Sequence, residues 1–206
     1  MSERNTTART MHDLGLAAWF GGALMGAIGL NGATRDVSDP RERAGVASAG
    51  WARWTPVNAA AIGAHLLGGV ILTFANLDRI RHQRGAGVNS AVKTVVTGAA
   101  LGATAYSRVL GNKVSDAGFV PAESGVKPSA GTPAEVSKAQ QRLRVLQWAI
   151  PAFTGVLVFL GAQQGEQQRQ SPVTGGPVGE SAMPAMPTVP TARVGGMARS
   201  FVRAAI

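Results

Sequence analysis

Of 206 residues only 15% are charged and 45% are hydrophobic, and mean hydropathy is positive at +0.09, whereas a soluble domain ordinarily carries about 25% charged residues. No cysteine is present, which excludes disulfides, thiolate catalysis and cysteine-based metal sites. The formal charge of +9 is scattered through connectors without a continuous basic face, so nucleic acid is not an expected partner and anionic lipid headgroups are the expected counterions.

Charge falls between long apolar stretches, as a lipid solvent requires, because an ion at mid-bilayer costs about 2.5–3.5 kcal/mol. The first stretch, Leu14–Leu30, carries no charge; as a helix it rises ~26 Å, just short of the ~30 Å hydrocarbon layer. Arg4 and Arg9 ahead of it, with Gly32-Ala33 behind, also fit a cleavable signal. In the next connector, Asp39, Pro40 and Glu42 predict a capped start for a short amphipathic helix along the interface, ending near Trp54. Trp51 and Trp54 would then seat their indoles in the headgroup layer. Thr55-Pro56 repeats the signal and opens a second span, Val57–Leu77, containing Asn58, His65 and Asn76 but no charge.

The short basic link Asp78–Lys93 reads as cytoplasmic, which places both termini inside a bacterial plasma membrane. Span three, 92–110, is the weakest, since only Thr94–Ser107 is uncharged and Lys93 and Arg108 must snorkel to opposite headgroup layers. Gly111–Gly131 reads as a polar loop, and Thr132-Pro133-Ala134-Glu135 as a second capping box. That helix should enter span four, 145–163, with Trp148 at the interface and a kink at Pro151. Residues 170–206 form a Pro/Gly-rich flexible tail. Strand signals are absent.

The expected fold is therefore all-α: an integral membrane four-helix bundle over residues 1–169, with amphipathic interfacial helices and that tail. Small residues one turn apart let helices approach closely in lipid. Ala18, Gly22 and Gly26, then Ala60, Ala64 and Gly68, then Gly98 and Gly102 beside Ala99 and Ala103, predict close packing of spans one to three. The bulkier Val156–Leu160 stretch would turn span four toward lipid.

The candidate polar residues are Asn58, His65, Tyr106 and Arg108. His65, near mid-span with Asn58 two turns away on one face, suits a hydrogen bond to a neighbouring helix, a transport path, or a haem ligand. A shared haem would need a second axial ligand at equal depth, and His12 is expected ~10–15 Å away along the membrane normal. Tyr106 and Arg108 suit an interface anchor or a site for a headgroup or substrate anion. His12 beside Asp13 is a generic helix-start pair. No phosphate loop, dinucleotide fingerprint, metalloprotease motif, nucleophile elbow or paired intramembrane carboxylate occurs. Catalytic, cofactor-binding and metal residues are thus none, and no enzyme is expected.

The stretches HDLGLAAWFGGALMGAIGLNGA, GWARWTPVNAAAIGAHLLGG, SAVKTVVTGAALGATAYSRVLGNK and VLQWAIPAFTGVLVFLGAQQGEQQR resemble a group of uncharacterised small membrane proteins of high-GC actinobacteria, over residues 12 to 169. That resemblance implies an actinobacterial plasma membrane and four spans, and no activity. The WFGG of span one is also similar to a DUF4149/TMEM205-type membrane domain. The leading expectation is a non-enzymatic accessory, scaffold or partner-binding subunit with a protein partner in the membrane. The alternatives are a small transporter or channel, with a polar stripe around Asn58 and His65, and a haem-binding redox protein.

Overall fold

The computed structural model describes residues 5–82 and 84–169, so the expected tail lies outside the described residues. Helix α1, Thr6–Met25, continues without a break through a π turn, Gly26–Leu30, and a single turn at Asn31–Ala33. It begins eight residues before the expected span, because Thr6 to Asp13 are polar yet contain no helix breaker. Helix α2 is Arg43–Ala75, α3 Leu77–His82, α4 Arg84–Asp116 and α5 Ala134–Arg169.

α2 corrects one expectation outright. No separate interfacial helix precedes Pro56; one helix of 33 residues, ~50 Å long, runs through it. Thr55 does not cap: its Oγ1 donates to the Trp51 carbonyl one turn back, at 2.8 Å, which keeps the chain helical at the proline. Trp51 and Trp54 pack against α1 rather than into headgroups. Upstream, Asp39 Oδ1 accepts the Arg41 N–H at 2.9 Å and its carbonyl accepts the Glu42 N–H, so Asp39 closes a turn and the helix starts only at Arg43.

The expected loop at 111–131 is also corrected. α4 continues to Asp116, Gly118 takes a left-handed turn at φ 69°, and two short antiparallel strands follow, β1 (Ala122–Ser124) and β2 (Lys127–Pro128). Such short strands have too few residues for alternation to register in the sequence. They hold by tertiary bonds: the Ala122 N–H donates to the Pro40 carbonyl at 3.0 Å, and the Gly125 N–H to Thr34 Oγ1 at 2.8 Å. Arg43 ties the same layer together, Nε donating to the Val37 carbonyl at 2.9 Å. The second capping box does not form either. Thr132 Oγ1 donates to the Pro121 carbonyl and accepts the Ser129 N–H, while Glu135 turns outward to Lys113 and Lys138.

Among the described residues, three segments are long and apolar enough to cross a membrane: Thr6–Asp36, Arg43–Ala75 and Ala134–Gly165. α4 has the length, but its polar ends leave it outside that set. The helices pack as two antiparallel pairs, α1 with α2 and α4 with α5, joined along α1 and α5; α2 and α4 meet only sparingly. This overturns the expectation that the first three spans pack together while the last faces lipid. Ile150 and Leu157 of α5 lie in one core cluster with Leu16, Trp19, Ala23 and Ala100, although Val156, Val158 and Phe159 do face outward. Gly98 and Gly102 look into open space; Ala100, two residues from each, is fully buried. A second cluster, Ala44, Leu110, Val114, Ala122, Val136 and Ala139, fixes the strands to one end of the bundle.

Candidate functional site

α1 and α2 meet along matched rows. On α1 the row is Ala8, His12, Gly15, Trp19, Gly22 and Gly26; on α2 it is Trp51, Trp54, Ala61, His65 and Gly68. The steps of three, four and, from Trp54 to Ala61, seven residues are those of helices wound about each other with a left-handed twist. At one end large fills small: Trp54 lies where a Cβ on Gly22 would be, and Trp51 where one on Gly26 would be. At the other end the backbones touch. A Cβ on Gly15 would collide with the Ala61 carbonyl and stand 2.6 Å from the His65 nitrogen; one on Gly68 would collide with the Ala8 carbonyl and stand 2.7 Å from the His12 nitrogen.

Between these glycines sit the two histidines, and here the expected separation of ~10–15 Å fails. The rings of His12 and His65 are stacked, with centroids 4.0 Å apart and planes 18° from parallel. A span begun at Leu14 puts His12 at the membrane edge; a helix from Thr6 carries it to the depth of His65. His12 Nδ1 lies 2.8 Å from the His65 carbonyl and His65 Nδ1 3.0 Å from the His12 carbonyl. A carbonyl only accepts, so both Nδ1 atoms donate. Two imidazoles lying on one another cannot bracket a haem iron, and no group of three metal-ligating side chains exists among the described residues.

Beside this pair, Trp19 meets His65 edge-on at 6.2 Å and donates Nε1–H to Thr104 Oγ1 of α4 at 3.2 Å. Trp19 is fully buried and forms the floor of a cavity of about 340 Å³ that rises toward β1 and β2 between α2 and α4. Its upper wall includes Asn31, whose Nδ2–H donates to Gln147 at 2.8 Å and whose Oδ1 accepts the Trp51 Nε1–H at 3.2 Å. The indoles of Trp51 and Trp54 also line it. Asn58 and Ser107 line it from opposite helices, and the buried Asn58 Oδ1 and Ser107 Oγ have no hydrogen-bond partner in the protein.

The four sequence candidates therefore separate. Asn58 and Arg108 reach the cavity; His65 lies beneath its floor; Tyr106 is elsewhere, its hydroxyl accepting from Arg142 of α5 at 2.7 Å. Arg108 is the sole charged residue in the lining, which contains no carboxylate, and no described residue pairs with its guanidinium. Sequence reasoning misses Trp19 and Ser107, and it places His12 too far from His65. The signal available for His12, Trp19, Trp51 and Trp54 is the alternating three- and four-residue spacing, which the supposed break at Thr55-Pro56 conceals.

No known protein family, no curated protein and no solved structure matches the chain, so the resemblances drawn above rest on the quoted segments alone.

Proposed function

We propose that the chain is a four-span protein of a bacterial plasma membrane that binds a small amphiphile in the cavity between α2 and α4, as a carrier or binding protein and not as an enzyme. One observation carries this reading: a cavity of about 340 Å³, walled by indoles and unpartnered amide and hydroxyl oxygens, stands where the two helix pairs are least tightly closed. Ligand sites are typically concave, about 300–1,000 Å³, mostly apolar and marked by a few convergent polar groups. α4 supplies the span expected at 92–110, carrying its cavity-facing polar residues inward and Val95 and Val109 outward. The accessory-subunit reading has support only from outward apolar side chains such as Leu67, Phe74 and Phe159, which lipid alone would cover.

Native mass spectrometry of protein extracted in mild detergent tests the proposal. The expected result is a bound adduct of lipid-like mass, lost when Ala105, in the cavity wall, is replaced by Trp. Bare protein throughout, or an adduct indifferent to Ala105→Trp, would refute it.

A further inference from the structure

Resting on that reading, we infer that the occupant is an anionic lipid whose headgroup binds Arg108, an exposed side chain in the cavity wall, while its acyl chains leave sideways between α2 and α4. Three observations combine. The first is charge. Among the residues facing the cavity, one is cationic and none is acidic, and the cation has no partner among the described residues. A guanidinium in such surroundings selects an oxyanion, phosphate or carboxylate, through paired N–H donors. The second is the polar complement. Ser107 is the neighbour of Arg108 in the chain and Asn112 lies one turn on, so a hydroxyl and an amide donor stand near the guanidinium; Asn58 faces them from α2, and its unbonded Oδ1 suits a hydroxyl of the headgroup. Ser107 Oγ is left unbonded by the protein, which suits a hydroxyl that completes its bonding on a ligand oxygen.

The third observation is size and access. A volume of about 340 Å³ admits a headgroup and its backbone but no complete diacyl lipid. The chains must therefore lie outside, and the sparing contact between α2 and α4 is the available exit. Arg108 also ends the uncharged stretch Thr94–Ser107, which puts it at headgroup depth if α4 spans. A soluble organic anion shares the headgroup's chemistry but has no use for a lateral exit.

The test uses the full chain carrying Trp148→Phe, so that the three remaining tryptophans, Trp19, Trp51 and Trp54, all line the cavity. The protein is held in a neutral detergent and titrated with dioleoyl phosphatidylglycerol, with dioleoyl phosphatidylcholine, and with glycerol phosphate, reading tryptophan emission. Saturable change with phosphatidylglycerol, weakened about tenfold or more by Arg108→Gln and only partly restored by Arg108→Lys, which keeps the charge and loses the paired donors, is the expected result. Phosphatidylcholine and glycerol phosphate should both bind at least about tenfold more weakly. Equal binding of the two lipids, unmoved by Arg108→Gln, would overturn the anionic class while leaving an amphiphile site standing. Glycerol phosphate binding as tightly as the lipid would make the ligand a soluble anion and overturn the lateral exit. No response to any of the three would overturn this inference and count against the amphiphile reading with it. A normal far-ultraviolet circular dichroism spectrum certifies that each variant is folded.

Discussion

At the residue scale, glycines are interchangeable by composition and sharply distinct by position. Gly15 and Gly68 let backbones touch backbones, so a methyl group at either has no side chain to displace. Gly15→Ala and Gly68→Ala should each destabilise the bundle by about 1–3 kcal/mol, read as a lowered thermal midpoint in detergent. Gly98→Ala, in open space, should be neutral or slightly stabilising, since alanine is the better helix former. Equal loss at all three positions would mean that the seam has been misplaced. Gln140 makes the opposite point. It is fully buried, and neither end of its amide meets a partner in the protein. Replacing it with the similarly shaped Met should raise the thermal midpoint, because an unsatisfied buried amide costs about 1–3 kcal/mol.

At the scale of elements, the end of the bundle bearing β1 and β2 is held by polar bonds that a membrane span would not tolerate. Lys138 and Lys113 both reach Glu135 at the start of α5, and Lys127 of β2 reaches back to Glu123 of β1. The hydrogen bond from Lys127, assisted by its charge, holds the Glu123 carboxyl below its ordinary value of 4.5. A carboxylate whose titration is depressed by folding stabilises the fold above its unfolded value and loses that contribution as acid protonates the native state. Glu123→Gln should therefore lower stability slightly at pH 7 and progressively less as pH falls below 4.5. Glu123 is exposed, so the difference is small and screened by salt. Thermal scans of the two proteins from pH 7 to pH 3 at low ionic strength check it. A gap that widens toward acid would contradict the assignment.

The same elements show what sequence can and cannot reveal. Helical content, the start of α5 at Ala134 and three helices long and apolar enough to cross a membrane are legible, because hydropathy and helix-start signals are local. Asn58 and Arg108 are legible as well, being polar groups on apolar helices. The joining of α2 through Pro56 is not, since a threonine–proline pair caps one helix and mends another with identical letters. Nor is the meeting of His12 with His65, which depends on a register between helices 53 residues apart in sequence. The strands escape notice because their bonds run to Pro40 and Thr34, the latter 91 residues from its donor.

For the whole molecule, the proposed four spans would put the two long connectors on one side and the short α2–α4 link on the other, which three would not. The absence of cysteine makes this simple to examine. Single cysteines replacing Ser38, Ala130 and Arg81, all exposed, should react with a membrane-impermeant maleimide in two classes. The Ser38 and Ala130 positions should label together from one face, and the Arg81 position from the opposite one. Labelling of position 130 together with 81 would remove α4 from the membrane.

The interlocking of α1 with α2 carries one mechanical consequence. Indoles seated in glycine notches at one end, touching backbones at the other and a reciprocal histidine clasp between them leave no room for a one-residue slip. These two helices form one board, with α4 and α5 as the facing one and the α1–α5 contact as their spine. If the proposed function holds, such a book parts most easily at its fore-edge between α2 and α4, where the cavity lies and where contact is sparsest, with Trp19 at its inner end.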